Sequence, residues 1–321
     1  MHRLDHRFFP STYYYTFGPH ETALRLKPGD RLVTDTVDAR GYDCEGNSIP
    51  ESMRQQSEDT EYYRANPLVG PFYIEDALLG DTLIVKILKI ELNRDYAWSK
   101  NNSNFGSLTE EGPGKRLLLN QPMEEQYFRW ILRPGQNSAV LELKKSRLRR
   151  IEIPLHPFLG SIGVAPRYGR VETSLSPGEY GGNMDCVESK EGTTVYLPIF
   201  VKGGYLAFGD VHAAQGDGEL SGTALETSAE VTLEVDVIKG KAIEWPRFED
   251  KENIMVAGSS RPLMEAYKIA HVEMISWLVS DYSFDREEAL QVLTQVGKCR
   301  VGNVVDPKYT VVAKFPKKYL P

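Results

Sequence analysis

Val231-Thr232-Leu233-Glu234-Val235-Asp236-Val237 places an apolar residue at every second position. Side chains of an extended strand point alternately to opposite faces, so this stretch reads as a strand with one buried face. Ile151, Ile153 and Leu155 alternate in the same way. The run from Thr82 to Ile90 is more continuously apolar, as a strand covered on both faces would be. Val195 to Phe200 is similar, with Pro198 marking an edge or a bulge.

Working outward from these strands, Gly and Pro punctuate the chain at Pro28-Gly29, Gly70-Pro71, Pro134-Gly135, Pro177-Gly178, Gly181-Gly182 and Gly203-Gly204. Many short strands separated by such turns predict a sandwich or barrel. Helical spacing occurs only near the C-terminus. Pro262 opens one helix, and Leu263, Ala266, Tyr267, Ala270, Met274, Trp277 and Leu278 form its apolar stripe. Asp285 and Glu288 start a second, with a stripe of Ala289, Leu290, Leu293 and Val296 and a stop at Gly297. The expected class is therefore mainly β, sandwich- or barrel-like, with appended C-terminal helices, α+β overall. Punctuation thickens near residues 150–160, which predicts a β-rich N-terminal domain over 1–155 and a β-rich catalytic core with the helices over 156–321.

The 321 residues carry a net charge of −7. An acidic chain repels phosphate backbones, so nucleic acid is not an expected partner. The short basic cluster Lys144, Lys145, Arg147, Arg149 and Arg150 reads as a solvated strand edge. No run reaches the roughly 20 apolar residues of a membrane helix, and MHRLDHRFFP lacks a signal-peptide apolar core. Cys44, Cys186 and Cys299 are sparse and widely spaced, which points to a reducing, cytoplasmic setting rather than a disulfide framework.

Chemistry concentrates in Gly178-Glu-Tyr-Gly-Gly-Asn-Met-Asp185 and Gly209-Asp-Val-His-Ala-Ala-Gln-Gly-Asp-Gly-Glu219. Glycines let a backbone turn sharply, and interleaved Asp, His, Gln and Glu can bind a metal or move protons. Asp185, His212 and Glu219 can supply three ligands to a divalent metal such as zinc, with Asp217 or Asp210 as base. Such a set suits attack on an unactivated amide, which needs a polarised carbonyl, a strong nucleophile and a proton for the departing amine. Against this stand ordinary readings: Asp217-Gly218 as turn chemistry, Cys186 as a buried thiol, and Asp38 as a strand-end cap. His20 and His156 are weaker candidates. No Gly-x-Ser-x-Gly elbow, phosphate-binding loop or dinucleotide fingerprint is present.

Pro157-Phe-Leu-Gly-Ser-Ile-Gly-Val-Ala-Pro166, Gly181-Gly-Asn-Met-Asp185, Tyr196-Leu-Pro198 and Gly209 to Glu219 together resemble the conserved block of the acetamidase/formamidase family. Lys27-Pro28-Gly29-Asp30 and Gly70-Pro-Phe-Tyr-Ile-Glu75 are similar to looser family features. The resemblance implies a mostly β hydrolase of formamide or acetamide, a homo-oligomer, and a site at Asp185, His212 and Glu219 with Asn183 and Gln215 contacting the amide. The polar loop at 101–114 departs from the pattern, and at the pocket mouth it would alter substrate choice. A non-catalytic small-molecule-binding protein on the same scaffold is the competing expectation.

Overall fold

The computed structural model of the chain describes residues 4–56, 64–103, 105–108 and 124–321. Among these, nine strands form one sheet and eleven another. The nine-stranded sheet runs Asp5–Phe8, Arg31–Asp35, Ala229–Ile238, Thr82–Leu92, Thr194–Pro198, Arg247–Glu249, Asn253–Ser260, Tyr309–Pro316 and Lys298–Asn303. Each order begins and ends on an edge strand, so the architecture is a sandwich of open sheets and the barrel alternative does not arise. Strands from both sides of the 155/156 boundary interleave: Thr82–Leu92 pairs with both Ala229–Ile238 and Thr194–Pro198. That boundary thus falls inside a shared pair of sheets.

The alternation of Val231, Leu233 and Val235 does what the pattern predicts. All three are buried, with Thr232, Glu234 and Asp236 less so. They meet Leu83, Val85, Val195 and Leu197 of their own sheet and Leu159, Ile162, Phe208 and Val211 of the other, forming the central core. Each such side chain contributes about 1.5–3 kcal/mol by leaving water. Thr82–Leu92 is covered more on one face than the other: Leu83, Val85 and Ile87 are buried, while Ile84, Lys86 and Leu88 are only half-buried. Pro198 lies at a strand end, where it pairs with Thr82 beyond the last residue joined to Arg247–Glu249.

Helix α1 (Leu263–Tyr282) lies on the strands Asn253–Ser260 and Tyr309–Pro316. Its close approach requires Gly258, where a Cβ would stand 2.4 Å from the Ala266 carbonyl oxygen. Met274 and Trp277 are core residues there, whereas Tyr267, expected on the buried stripe, is exposed. Helix α2 (Arg286–Val296) starts as expected: the Asp285 carboxylate accepts from the backbone N–H of Glu287 and Glu288. Among the described residues no helix is long and apolar enough to cross a membrane.

Candidate active site

The site is built on the eleven-stranded sheet, where Phe158–Gly163 lies between Gly181–Asn183 and Leu206–His212. Leu206, Phe208 and Val211 all belong to the central core, so inward parity changes between Phe208 and Val211. Asp210 sits at that change with φ +55°. The left-handed residue redirects Asp210 and His212 away from the core. His212 is therefore the last residue of a strand, not part of the following loop. Asp185 and Glu219 are left-handed too, at φ +48° and +51°. Such backbone costs roughly 1–2 kcal/mol per non-glycine residue and gathers at functional sites.

The strand register sets Gly160 opposite Asp210, because Leu159 pairs with Val211 and Ser161 with Gly209. A Cβ at Gly160 would stand 2.7 Å from Asp210 Oδ2 and 2.9 Å from Asp185 Oδ1. This glycine opens the space in which the two carboxylates approach.

Asn183 joins the cluster. Its amide nitrogen donates to Asp185 Oδ2 at 3.2 Å and Asp306 Oδ2 at 2.8 Å. Its oxygen accepts from Ser161 Oγ at 2.5 Å and Asn66 Nδ2 at 3.1 Å. Asn66 also donates to Asp210 Oδ2 at 2.9 Å. Gln215 fixes the imidazole. Its amide nitrogen donates to the carbonyls of Asp185 and Gly302, both at 3.0 Å. Its oxygen must then accept from His212 Nδ1–H, at 2.9 Å. His212 Nε2 is left facing Asp210 Oδ2 and Glu226 Oε2, each at 3.4 Å.

Asp185, Asp210, Glu219, Glu226 and Asp306 are thus five buried carboxyl groups around one buried imidazole. Burial first, then neighbouring negative charge, pushes Asp185, Glu219 and Asp306 well above the usual carboxylate range. Asp185 and Asp306 are bridged by the Asn183 amide nitrogen, which sets the two carboxyl groups side by side. Burial also raises Glu226, against the pull of His212. For His212, burial acts downward, but Glu226 and Asp210 outweigh it and hold the imidazole well above its usual value.

Asp185 Oδ1, Asp210 Oδ1 and Glu226 Oε2 are buried without a hydrogen bond. Orphaned carboxylate oxygens are costly unless a cation meets them. The ligand atoms of Asp185, His212 and Glu219 lie within 4.8 Å of one another, as do those of Asp210, His212 and Glu226. This nitrogen-and-oxygen donor set fits a divalent metal. Asp210, His212, Glu219, Glu226 and Asp306 line a cavity of about 650 Å³ together with Ala39, Arg40, Trp98, Lys100, Tyr127 and Leu175, while Asp185 lies just behind this lining.

The structure gathers Asp185, His212, Glu219, Asn183 and Gln215, and brings Asp210 with them. Asn183 and Gln215 have their amide groups engaged by protein, and Asn183 also lines the cavity. Asp217 stands apart: it is exposed and pairs with Arg300. Cys186 is buried and its thiol is pushed well above the ordinary value, chiefly by burial, which leaves it unsuited to attack. Asp38 belongs to a buried ion pair with Arg94 at 2.9 Å. His20 bonds Thr16 and stacks on Tyr14, and His156 is exposed. Sequence reasoning missed Asn66, Ser161, Glu226 and Asp306. The start of a strand after Leu225 and the Asp306-Pro307 turn were the only local signals for the last two. In the loop at 101–114, Phe105 reaches the cavity wall, while residues 104 and 109–114 lie outside the described residues.

The model of the Acetamidase/Formamidase family matches residues 19–169 and 168–319. The structure of an acetamidase from Yersinia enterocolitica is 35% identical with a TM-score of 0.85, over 99% of this chain and 93% of that one. An acetamidase structure from Bacillus halodurans is 28% identical with a TM-score of 0.80, over 98% of each chain. A formamidase of Methylophilus methylotrophus is 24% identical over 251 residues, 67% of this chain. That match spans only 61% of the formamidase's own length. With nearly the whole chain matched by the family model, the protein belongs to the acetamidase/formamidase family.

Proposed function

We propose that the protein hydrolyses a primary amide to its carboxylate and ammonia, with a divalent metal, zinc being our choice, held by Asp185, His212 and Glu219. The observation that carries the reading is the buried imidazole among five carboxyl groups, three of which carry orphaned oxygens and four of which, Asp210, Glu219, Glu226 and Asp306, line an open cavity. When bound, the metal supplies polarisation of the amide carbonyl and a lowered pKa for water. The chain's own residues do the rest. Gln215 holds His212 with Nε2 toward the cavity. Asn183 holds Asp185 and Asp306 together. Glu226 or Asp210, flanking His212, takes a proton as water oxygen bonds to the carbonyl carbon. The C–N bond then breaks as the nitrogen is protonated by the carboxyl group that took the proton from water. The products are the carboxylate and ammonia.

The three cysteines are free, in keeping with a reducing cytoplasm. The exposed apolar side chains Met264, Val272 and Val279 of α1 are in keeping with a homo-oligomer.

An ammonia-release assay on formamide, acetamide, propionamide and urea, run with elemental analysis of the purified protein, tests the reading. Turnover of an amide is expected, lost on chelation and restored by zinc or another divalent ion. Undiminished turnover by thoroughly metal-stripped protein removes the metal from the proposal. No turnover on any amide removes the hydrolase.

A further inference from the structure

The cavity is larger than formamide or acetamide requires. Its volume of about 650 Å³ lies within the range of roughly 300–1,000 Å³ that holds drug-sized ligands. At a ceiling of about 1.5 kcal/mol per non-hydrogen atom, a four-atom amide gains at most about 6 kcal/mol from any site. Most of this wall would then touch nothing.

Part of that wall is aromatic: Trp98, Phe105 and Tyr127 stand there among Arg40, Lys100 and Glu125. His212 pairs across the sheet with Glu226, and Glu226 with Trp98. These three residues form one row over neighbouring strands, each step about 4.7–4.9 Å. At the backbone Trp98 therefore stands two strand spacings, about 9–10 Å, from His212, a gap that an aryl or arylalkyl amide can lie within, its amide over the imidazole and its ring against the indole. The Trp98 and Tyr127 rings are 5.8 Å apart and tilted at 58°. Arg40 lies over both, 5.8 Å from the Trp98 centroid and 5.1 Å from that of Tyr127. Behind them, Trp98 Nε1 donates to Asp38 Oδ2 at 2.9 Å, and Arg94 holds the same oxygen at 2.9 Å. The indole is thus locked in orientation by a buried ion pair, and Trp98 is among the residues lining the cavity. A ring orientation fixed this way serves flat-face contact with a ligand ring.

From this row we infer that the acyl group of the substrate is arylalkyl or aryl, its ring against Trp98 and Tyr127 with the amide over His212. The inference rests on the hydrolase reading and deepens it: Trp98 is a specificity-determining residue, selecting aromatic primary amides over acetamide.

The test compares kcat/KM for 2-phenylacetamide, benzamide and acetamide in the wild type, Trp98→Ala and Trp98→Phe. The wild type is expected to favour 2-phenylacetamide over acetamide by about tenfold or more. Trp98→Ala is expected to lower that ratio about tenfold, through KM, and Trp98→Phe to restore part of it. A wild type that prefers acetamide, or a ratio unmoved in Trp98→Ala, overturns the inference and leaves the hydrolase reading standing. If no amide releases ammonia, that reading falls, and calorimetric titration with benzamide decides the pocket's selectivity. Saturable binding that weakens in Trp98→Ala supports the aromatic wall; equal or absent binding overturns it.

Discussion

Two buried ionic groups in this protein, close in space, are arranged in opposite ways. Around Asp38 every bond is made. Oδ1 accepts the backbone N–H of Arg40 at 2.9 Å and of Tyr42 at 3.0 Å. Oδ2 accepts from Arg94 and Trp98. Arg94 in turn donates to the carbonyls of Tyr96 and Glu226 and to Thr227 Oγ1. The floor cluster, by contrast, packs Asp185, Asp210, Glu219, Glu226 and Asp306 around a single imidazole and leaves oxygens without donors. A satisfied buried pair fixes structure. An unsatisfied acid cluster is held against its own repulsion by surrounding structure, and its missing partners are the cation, proton or substrate it is built to meet.

Asp185→Asn gives the widest separation between the two regions. The amide is nearly isosteric, and its oxygen can still accept from Asn183. Ammonia release is expected to fall by about 10²–10⁴-fold. The denaturation midpoint is expected to hold or rise, because one of five crowded carboxyl groups is gone. A clear loss of stability alongside activity would break the contrast, by making Asp185 as structural as Asp38.

Asp38→Ala is expected to do the reverse. It leaves the Arg94 guanidinium buried without its carboxylate, and removal of one partner from a buried pair costs about 3–5 kcal/mol. Urea unfolding should show this directly. Any loss of activity should track the lost fold and the loosened indole, not metal content, which elemental analysis would find unchanged.

These cases also mark what the amino-acid sequence discloses. The strand over Ala229–Ile238 and the Asp285 cap are legible because the pattern and the structure both lie within a few residues. The cluster is legible only in part. Asp185, His212 and Glu219 stand in glycine-rich segments that draw attention. Asp306 reaches Asn183 across 123 residues, and Asn66 reaches it across 117. Nothing local marks Asn66, and a turn at Asp306-Pro307 is all that marks Asp306, because their partners are set by strand pairing far away. Asp38 looks as reactive as Asp210 in the bare sequence. What separates them is hydrogen-bond satisfaction, a property of three dimensions.

Asp217 sharpens the point with the smallest effect. It lies in the same Gly216-Asp217-Gly218-Glu219 string as a floor acid, and its letters suggest a base. Gly218 and Glu219 both have left-handed backbone, at φ +84° and +51°. That double turn carries Glu219 into the cavity and leaves Asp217 outside, paired with Arg300 on the surface. Exposed pairs of this kind contribute about 0–1 kcal/mol. Asp217→Asn is therefore expected to shift stability by no more than about 0.5 kcal/mol and to leave kcat/KM within about twofold, since no reacting atom is near. A drop approaching that of Asp185→Asn would mean that the loop rearranges to bring Asp217 over the substrate. The floor acids would then be incomplete without it, and position in the fold would have misled where the letters had not.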